Sequence, residues 1–340
     1  MQRNFNTFDL PEDISPEQVI PTEDGLKIIW SHDSHMSFYT WDFLEPYIKQ
    51  GRPDDEVIPL TYFGAGGYPD STIEYSEFRK DVTRAVGLLT NKIWHGGYAS
   101  VVGVPTDSAK PTEDLLRTIS LIRPTHYGEF YDFIPDQALA DTAYSNVALG
   151  AHTDCTYFSE PPGIQTFHLL SHTGGDGGLS LLVDGFHAAA KLKEEDPDSY
   201  DILTRFPIHS HASGNKGIAI APDQPYPVIQ HIQRKAVPHR IRWNPDDRGV
   251  IPLGCKTSEM EWYKAARKWN EILKRKDMEY WFQLEPGRVL LFNNWRVLHG
   301  RSAFTGLRRM CGAYFFHDDF VSKWRNTNYP RNEVLRRVNG

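Results

Sequence analysis

Two metal-binding residue types lie two positions apart in the segment GAHTD at 150–154. In an extended strand, side chains two positions apart project from the same face, so His152 and Asp154 can reach one metal ion. His299, at the end of a predicted buried strand, is the candidate third ligand. Two histidines and one carboxylate on one face of an octahedral ion are the ligand set of non-haem Fe(II) oxygenases, which leaves three positions for an oxo-acid and O2. The pattern therefore predicts an iron site.

Two further polar residues fit the same chemistry. A His-x-Asp pair alone is weakly specific, because most such pairs are solvated surface residues. Arg308 follows His299 by nine residues, and Ser180 lies in the segment GGLSL. A buried guanidinium is suited to bind the distal carboxylate of 2-oxoglutarate through two parallel hydrogen bonds, to which a serine hydroxyl can add a third. The set predicts oxidation of an aliphatic carbon. The alternative, a non-catalytic binding module, requires a damaged triad or a lost oxo-acid anchor, and the sequence shows neither.

The elements that position these residues are predicted to be mostly short strands. Between about residues 125 and 255, apolar segments such as GIQTFHLL and LSLLVDG alternate with turns rich in Gly, Pro, Asp and Asn. Many short strands with frequent turns are typical of a β-sandwich or β-barrel, and not of a Rossmann fold. Helical periodicity occurs in only a few places, so the predicted fold class is mainly β with flanking helices.

Three local patterns make specific structural predictions. Residues 22–30 and 35–44 are predicted to form a strand pair with an aromatic face. Ser71 and Glu74 are spaced as a capping box, which predicts that a helix begins there. The segments YWFQL and RVLLFNNW flank a Glu-Pro-Gly sequence at 285–287, which predicts a hairpin.

The composition excludes several classes of function. The formal net charge is −7, whereas a general nucleic-acid binder needs a basic surface for phosphate contacts. No run reaches the roughly 18 consecutive apolar residues of a membrane helix, so no membrane partner is expected. The three cysteines are scattered singly, which argues against a disulfide framework or a thiolate metal site. The acidic start lacks an apolar secretory core and an Arg-rich transit pattern, so we expect an intracellular protein, cytoplasmic rather than mitochondrial.

Long stretches of the sequence resemble one family, the branch of 2-oxoglutarate dioxygenases that contains trimethyllysine dioxygenase and γ-butyrobetaine hydroxylase. The similarity is carried, in order, by ISLIRPTHYG, DTAYSNVALGAHTDCTYFSEPPGIQ, SLLVDGF, EPGRVLLFNNWRVLHGRSAFTG and RRMCGAYFFHDD. The resemblance implies a double-stranded β-helix core (a cupin-like jelly roll), Fe(II) bound by His152, Asp154 and His299, and 2-oxoglutarate held by Arg308. It implies Fe(II), 2-oxoglutarate and O2 as cofactors, with ascorbate as a reductant. The implied reaction is 3-hydroxylation of the free amino acid N6-trimethyllysine, a step of carnitine biosynthesis.

The resemblance also implies a substrate pocket. In γ-butyrobetaine hydroxylase an aromatic cage holds a trimethylammonium group by cation–π attraction, which suits a cation without hydrogen-bond donors. Any one tyrosine by itself is explained by ordinary packing, so the joint placement on both sides of the iron motif is what indicates a cage. The matching aromatic positions are Tyr127, Tyr131, Tyr144 and Tyr314, and the positions matched to the amino-acid end of the substrate are Asp141 and Asn244.

Departures from the family pattern leave the substrate open. Pro245 follows Asn244 where relatives carry a second Asn, which removes a side-chain amide and a backbone N–H. This favours a second hypothesis, a related dioxygenase of secondary metabolism that hydroxylates, desaturates or cyclises a different amino acid. The N-terminal stretch has His35 but no preceding cysteine. We therefore expect residues 1–50 to be a remnant of a small β domain without zinc, and residues 51–340 to be the catalytic domain. The resemblance also implies a homodimer.

Overall fold

The computed structural model describes residues 6–49, 60–134, 146–231, 237–251 and 259–339. The chain divides into two compact units, one formed by Met1–Ile58 with Tyr329–Gly340 and the other by Pro59–Asn328. Within the described ranges, none of the helices has the length and apolar character needed to cross a bilayer. Cys155 and Cys311 are buried free thiols.

The first unit contains a three-stranded antiparallel sheet. Its strands are β1 (Pro16–Pro21), β2 (Gly25–Trp30) and β3 (Met36–Thr40), in the order β1-β2-β3. The predicted strand pair is confirmed, because β2 and β3 form an antiparallel hairpin, although helix α1 (Trp41–Lys49) takes up the residues after β3. A short 3-10 helix (Thr7–Asp9) and a helix over Arg331–Asn339 complete this unit. The remnant origin of residues 1–50 stays a prediction.

The second unit is built on two larger sheets and one small one. The strands are β4 (Thr72–Glu74), β5 (Tyr98–Val102), β6 (Phe130–Phe133), β7 (Leu149–His152), β8 (Ile164–Thr173), β9 (Ser180–Asp184), β10 (Ile229–His231), β11 (Pro238–Ile241), β12 (Tyr280–Phe282), β13 (Arg288–Asn293), β14 (Val297–Arg301) and β15 (Leu307–Phe315). One sheet has the strand order β4-β5-β13-β8-β15-β6, the other the order β12-β9-β14-β7, and β10 pairs with β11 alone. Among the described residues, the strands of this unit pair antiparallel except β4 with β5.

The two larger sheets pack face to face. Leu182 of β9 and Val297 of β14 share one buried cluster with Leu169 of β8 and with Leu290 and Phe292 of β13. Side chains alternate between the faces of a strand, so each sheet presents one apolar face to the other. Burial of these side chains from water drives the packing, at roughly 1.5–3 kcal/mol for each large residue.

Helices cover the outer faces of the sheets. Three of them bury apolar side chains against β9 and β14, with Leu192, Leu203 and Trp269 in the same cluster as Val183 and Leu298. The helices of this unit are α2 (Tyr75–Lys80), α3 (Val82–Gly96), α4 (Lys110–Ile119), α5 (Gly185–Glu195), α6 (Pro197–Arg205), α7 (Glu259–Leu273) and α8 (His317–Asn328). The four-stranded sheet is therefore held between a helical layer and the second sheet.

A buried ion pair fixes the start of β14. The side chains of Arg296 and Asp184 are 1% and 0% exposed, and their closest N–O distance is 2.7 Å. The guanidinium also donates to two backbone carbonyls, while the carboxylate accepts the Phe186 N–H in the first turn of α5. Because both charges are fully hydrogen-bonded, the pair ties β14 to the end of β9. His299 lies three residues beyond this anchor.

The predicted capping box at Ser71 and Glu74 is wrong. Residues Thr72–Glu74 form β4 instead, and the Ser71 carbonyl accepts a hydrogen bond from the Ser100 N–H at 2.7 Å. Pairing with β5 uses the backbone groups that a helix would need. The long helix begins only after Asp81, whose side chain accepts from the Arg84 N–H at 3.0 Å.

The predicted hairpin around residues 285–287 is also wrong. Strand β12 pairs with β9 in the four-stranded sheet, whereas β13 lies between β5 and β8 in the six-stranded sheet. The turn therefore connects the two sheets. Gly287 has a φ of +88°, a left-handed conformation that glycine adopts without strain.

Candidate active site

The three predicted iron ligands are brought together by neighbouring strands. Strands β7 and β14 pair so that His152 lies directly opposite His299. Thr153 is held between the first two ligands, because its N–H donates to the Trp243 carbonyl at 2.8 Å and its hydroxyl oxygen accepts from the Trp243 N–H at 3.0 Å. This double contact fixes the backbone that carries His152 and Asp154.

The donor atoms of the three side chains converge. Each offers one ligand atom, and these atoms lie within 4.8 Å of one another. Oδ1 of Asp154 is 3.3 Å from Nε2 of His152 and 3.6 Å from Nε2 of His299. These three atoms face a common point, as the ligands of one metal ion must.

Hydrogen bonds select which atoms face that point. Nδ1 of His152 lies 2.8 Å from the Gly150 carbonyl, so that nitrogen carries the proton and Nε2 has the free lone pair. Oδ2 of Asp154 accepts from Gln165 Nε2 at 2.5 Å and from the Tyr314 hydroxyl at 2.7 Å. With Oδ2 occupied, Oδ1 is the oxygen left for a metal.

Asn294 holds the backbone of Asp154. Its Oδ1 accepts from the Asp154 N–H at 2.9 Å, and its Nδ2 donates to the Asp154 carbonyl at 3.1 Å and to the Pro162 carbonyl at 3.0 Å. The side chain is 1% exposed. A buried amide with three satisfied hydrogen bonds is a rigid support for the ligand beside it.

The electrostatics of Asp154 and His299 favour metal binding, whereas the raised pKa of His152 favours its protonated form, which competes with the metal. Burial, and then the charge of His152, lowers the pKa of His299 to about 3, so its imidazole is neutral near pH 7. Burial alone would raise the pKa of Asp154, but His299 and His152 outweigh it and hold the pKa of this carboxyl well below its usual range. Burial opposes the charge on His152, yet the hydrogen bond and charge of Asp154 raise its pKa. An ionised carboxylate beside neutral imidazole is the protonation state that a metal requires.

The ligands open into a cavity of about 440 Å³ between the two sheets. Arg308, on β15, lines it with a side chain that is 5% exposed, and its Nε has no hydrogen-bond partner among the described residues. Ser180, the first residue of β9, lines the same cavity. Gly178 has a φ of +68°, and a Cβ there would lie 2.8 Å from a terminal nitrogen of Arg308. Glycine thus leaves the space that the guanidinium occupies.

Tyrosines form another part of the cavity wall. The rings of Tyr131 and Tyr314 are 5.8 Å apart and nearly perpendicular. The hydroxyl of Tyr127 lies 3.3 Å from that of Tyr157, and the Tyr131 hydroxyl donates to the Thr166 carbonyl at 2.5 Å. Burial raises the pKa of Tyr314 well above its usual value. Tyr127, Tyr131 and Tyr314 all line one cavity, and their rings are held in place by these contacts.

Most of the predicted site residues meet in this cavity. The predicted site residues that are among those lining it are His152, Asp154, His299, Arg308, Ser180, Tyr127, Tyr131, Tyr314 and Asn244. Asp141 and Tyr144 lie outside the described residues.

Two functional residues were missed from the sequence, Gln165 and Asn294. Both occur inside the stretches that carry the family resemblance, but only the folded structure shows that they contact Asp154. The available signal was a polar residue next to apolar ones, in strand β8 for Gln165 and in the turn after β13 for Asn294, since a buried amide needs partners.

The side chains present fit Fe(II) and a dicarboxylic co-substrate. The donor set is two imidazole nitrogens and one carboxylate oxygen, whose other oxygen is already hydrogen-bonded. This is the facial arrangement that suits ferrous iron. The buried guanidinium of Arg308, with its Nε unpartnered in the described structure, suits a carboxylate.

Comparison with known proteins decides the family. The family model described as "Taurine catabolism dioxygenase TauD, TfdA family" matches residues 56–314. The chain belongs to the TauD/TfdA dioxygenase family. A trimethyllysine dioxygenase of Neurospora crassa is 48% identical over 100% of this chain and 79% of that protein. A trimethyllysine dioxygenase of Meyerozyma guilliermondii is 38% identical over 98% of this chain and 87% of that protein. The family resemblance found in the sequence is confirmed.

The fold of this TauD/TfdA family member is shared by solved structures. An asparagine oxygenase in complex with Fe(II), 3-hydroxyasparagine and succinate aligns with a TM-score of 0.54 and 14% identity, over 69% of this chain and 79% of that one. The predicted fold class, mainly β with flanking helices around a jelly-roll core, is confirmed. The chain is a 2-oxoglutarate-dependent non-haem iron dioxygenase.

Proposed function

We propose that this dioxygenase hydroxylates C3 of N6-trimethyllysine, with iron bound by His152, Asp154 and His299. The observation that carries the proposal is the convergence of these three side chains in a cavity that also contains a buried arginine and a group of tyrosines. The substrate follows from relatives named trimethyllysine dioxygenase that align over nearly the whole chain.

The ligand residues act by binding and orientation. When bound, Fe(II) with 2-oxoglutarate and O2 supplies the oxidation of a C–H bond to an alcohol, with succinate and CO2 as the other products. His152 and His299 would bind the iron through Nε2, and Asp154 would bind it through Oδ1, because Gln165 and Tyr314 occupy the other oxygen of this carboxylate. The packing of Phe292 against His299, at 4.9 Å between ring centres, keeps that imidazole in place and away from water.

Arg308 and Ser180 are proposed to hold 2-oxoglutarate. A guanidinium that is nearly buried and has an unpartnered Nε gains a strong pair of hydrogen bonds when a carboxylate arrives. The ring of Phe304 lies 4.9 Å from the Arg308 guanidinium carbon and fixes its plane. Arg308 and Ser180 would thus bind 2-oxoglutarate through the carboxylate that lies farther from the iron.

The tyrosines are proposed to bind the trimethylammonium group. A quaternary cation cannot donate hydrogen bonds, so the aromatic faces of Tyr127, Tyr131 and Tyr314 are a suitable binding surface. Asn244 lines the same cavity, and with Asp141 and Tyr144 it is proposed to complete the substrate pocket. Holding the amino acid at both ends would place C3 beside the iron and exclude other carbons.

A different amino-acid substrate is the second candidate. It is favoured by Pro245, which is exposed and directly follows Asn244, a residue that lines the iron cavity. Proline provides no amide side chain and no N–H for a substrate carboxylate. In that case the same iron chemistry would hydroxylate, desaturate or cyclise another free amino acid.

Turnover assays distinguish the two candidates. Purified chain with Fe(II), 2-oxoglutarate and O2 would be supplied with trimethyllysine, lysine and other free amino acids, and the products read by mass spectrometry. We expect trimethyllysine to gain one oxygen atom with coupled succinate formation, and lysine to react poorly. Tyr131→Leu should raise the KM for trimethyllysine, whereas Tyr131→Phe, which keeps the ring, should leave it nearly unchanged. Product from another amino acid, and none from trimethyllysine, would favour the second candidate.

A further inference from the structure

A second cavity adjoins the segment Trp243–Asn244, which lies next to the iron cavity. Its volume is about 450 Å³, and α7 forms one of its walls. Asn244 lines both cavities. Nothing in the dioxygenase reaction uses this second space.

The second cavity is positively charged. Four cationic side chains line it, and none of the described residues that line it carries a carboxylate. Arg267 lies on α7 and Lys274 directly follows its last residue, and both are exposed. The Lys274 N–H donates to the Asn270 carbonyl at 3.2 Å, so the helical path continues and the spacing of seven positions places both side chains on one face, roughly 10 Å apart along the axis. Arg248 and Arg242 also line this cavity. Such a wall without acidic residues attracts an anion.

The buried guanidinium of Arg242 donates its hydrogen bonds to neutral groups, and the Asp223 carboxylate acts on it only through space. Its side chain is 6% exposed, and its terminal nitrogens donate to the backbone carbonyls of Thr156, Phe158 and Ser159. None of the described carboxylates forms a salt bridge with it. A buried guanidinium without a counter-ion is stabilised by a nearby negative charge.

Aromatic side chains supply flat walls between these cations. The guanidinium carbon of Arg242 lies 3.9 Å from the ring centre of Tyr226, and that of Arg248 lies 5.7 Å from Trp262 and 5.3 Å from Tyr263. Flat aromatic and guanidinium surfaces favour a planar ligand that can stack on them. The cavity volume is in the range of small-molecule sites.

We propose that this second cavity binds a planar organic anion, an aromatic body that carries a phosphate or carboxylate group. The aromatic walls hold the body, and Arg248, Arg267 and Lys274 bind the charged group. The proposal does not rest on the trimethyllysine activity, since no iron ligand or cage tyrosine lines the second cavity and Asn244 is the one proposed substrate-pocket residue, among those described, that the two cavities share.

Calorimetric titration of the Fe(II)-loaded full chain under anaerobic conditions tests the proposal. Saturating 2-oxoglutarate and trimethyllysine fill the first cavity, and AMP and indole-3-carboxylate are the anionic probes. Adenosine, indole and inorganic phosphate each lack one half of the proposed ligand. We expect AMP, the carboxylate or both to bind, and the three incomplete probes to bind at least about tenfold more weakly.

Charge reversal locates the binding. The double variant Arg267→Glu with Lys274→Glu should weaken probe binding by about tenfold or more. The matched control, Lys264→Glu with Lys268→Glu, changes the same helix at positions that do not line the cavity and should bind as the parent chain does. Turnover of trimethyllysine checks that both variants are folded. No binding by either anionic probe, equal binding of inorganic phosphate, equal loss in both variants, or competition by added 2-oxoglutarate would each overturn the proposal.

Discussion

Replacing Arg308 by lysine tests the co-substrate site most sharply. Lysine keeps the positive charge but replaces the planar fork of donors with one rotatable ammonium group. Arg308 is 5% exposed, and its Nε has no partner among the described residues. The variant should therefore lose the second hydrogen bond to the distal carboxylate of 2-oxoglutarate while it retains the charge attraction.

The magnitude follows from the lost contact. A hydrogen bond to a charged group contributes about 1.5–3 kcal/mol, and about 1.4 kcal/mol corresponds to a tenfold change in affinity. Arg308→Lys should raise the KM for 2-oxoglutarate roughly ten- to a hundredfold. The KM for the amino-acid substrate, measured at saturating 2-oxoglutarate, should change little, because the tyrosines that are proposed to bind that substrate are not altered.

The neighbouring arginine provides a matched control. Arg309 is more exposed and forms a two-point ion pair with Asp132, with N–O distances of 2.8 and 2.6 Å. Arg309→Lys should leave the KM for 2-oxoglutarate within about twofold of the parent value, since exposed ion pairs contribute little. Succinate formation against 2-oxoglutarate concentration measures both variants. A KM for Arg308→Lys that equals that of the control would refute the assignment.

Three further predictions concern the iron ligands, the core and pH. Gln165→Leu removes a hydrogen bond to Asp154 and should weaken Fe(II) binding roughly ten- to a hundredfold in metal titrations. An unchanged affinity for Fe(II) would contradict the role of Gln165 in positioning the Asp154 carboxylate. Arg296→Met leaves the Asp184 carboxylate buried without its partner. This variant should lower the free energy of unfolding, measured by urea denaturation, by about 3–5 kcal/mol. A loss below about 1 kcal/mol would show that the remaining hydrogen bonds are enough to stabilise the buried carboxylate. Burial lowers the pKa of His168 from 6.5 to about 4. Between these two pH values the unfolded chain therefore binds more protons than the folded chain. The free energy of unfolding should fall by up to about 3 kcal/mol as the pH decreases from 6.5 to about 4. His168→Asn should flatten this dependence between about pH 7 and pH 4, and an unaltered slope would count against it.

The sequence was sufficient to predict the site where local spacing determines geometry. His152 and Asp154 share a strand-like segment, so their common direction follows from the period of two. His299 and Arg308 could be added because they follow a recognisable buried strand. The structure places all four in one cavity.

Contacts between distant segments were not predictable in this way. Gln165 reaches Asp154 across 11 residues, and Arg296 reaches Asp184 across 112 residues. Such pairs depend on which strands become neighbours, and periodicity does not specify this. The failed hairpin at 285–287 has the same origin, because turn residues identify a reversal but not the sheet to which each strand belongs.

Local propensity failed where tertiary pairing competes with it. Ser71 and Glu74 have the spacing of a capping box, yet β4 gains backbone hydrogen bonds with β5 that a helix start would forgo. The free energy of a cap is about 1 kcal/mol. The backbone hydrogen bonds that β4 gains at the edge of the sheet stabilise the structure more than a helix cap at this position would.

The most direct test of iron-dependent hydroxylation by His152, Asp154 and His299 is mass spectrometry of products formed under isotopically labelled dioxygen. With Fe(II), 2-oxoglutarate and trimethyllysine, the parent chain should give an alcohol with one labelled oxygen atom and succinate with the other, and Asp154→Ala should give neither. An unlabelled alcohol, or full activity in Asp154→Ala, would contradict the account.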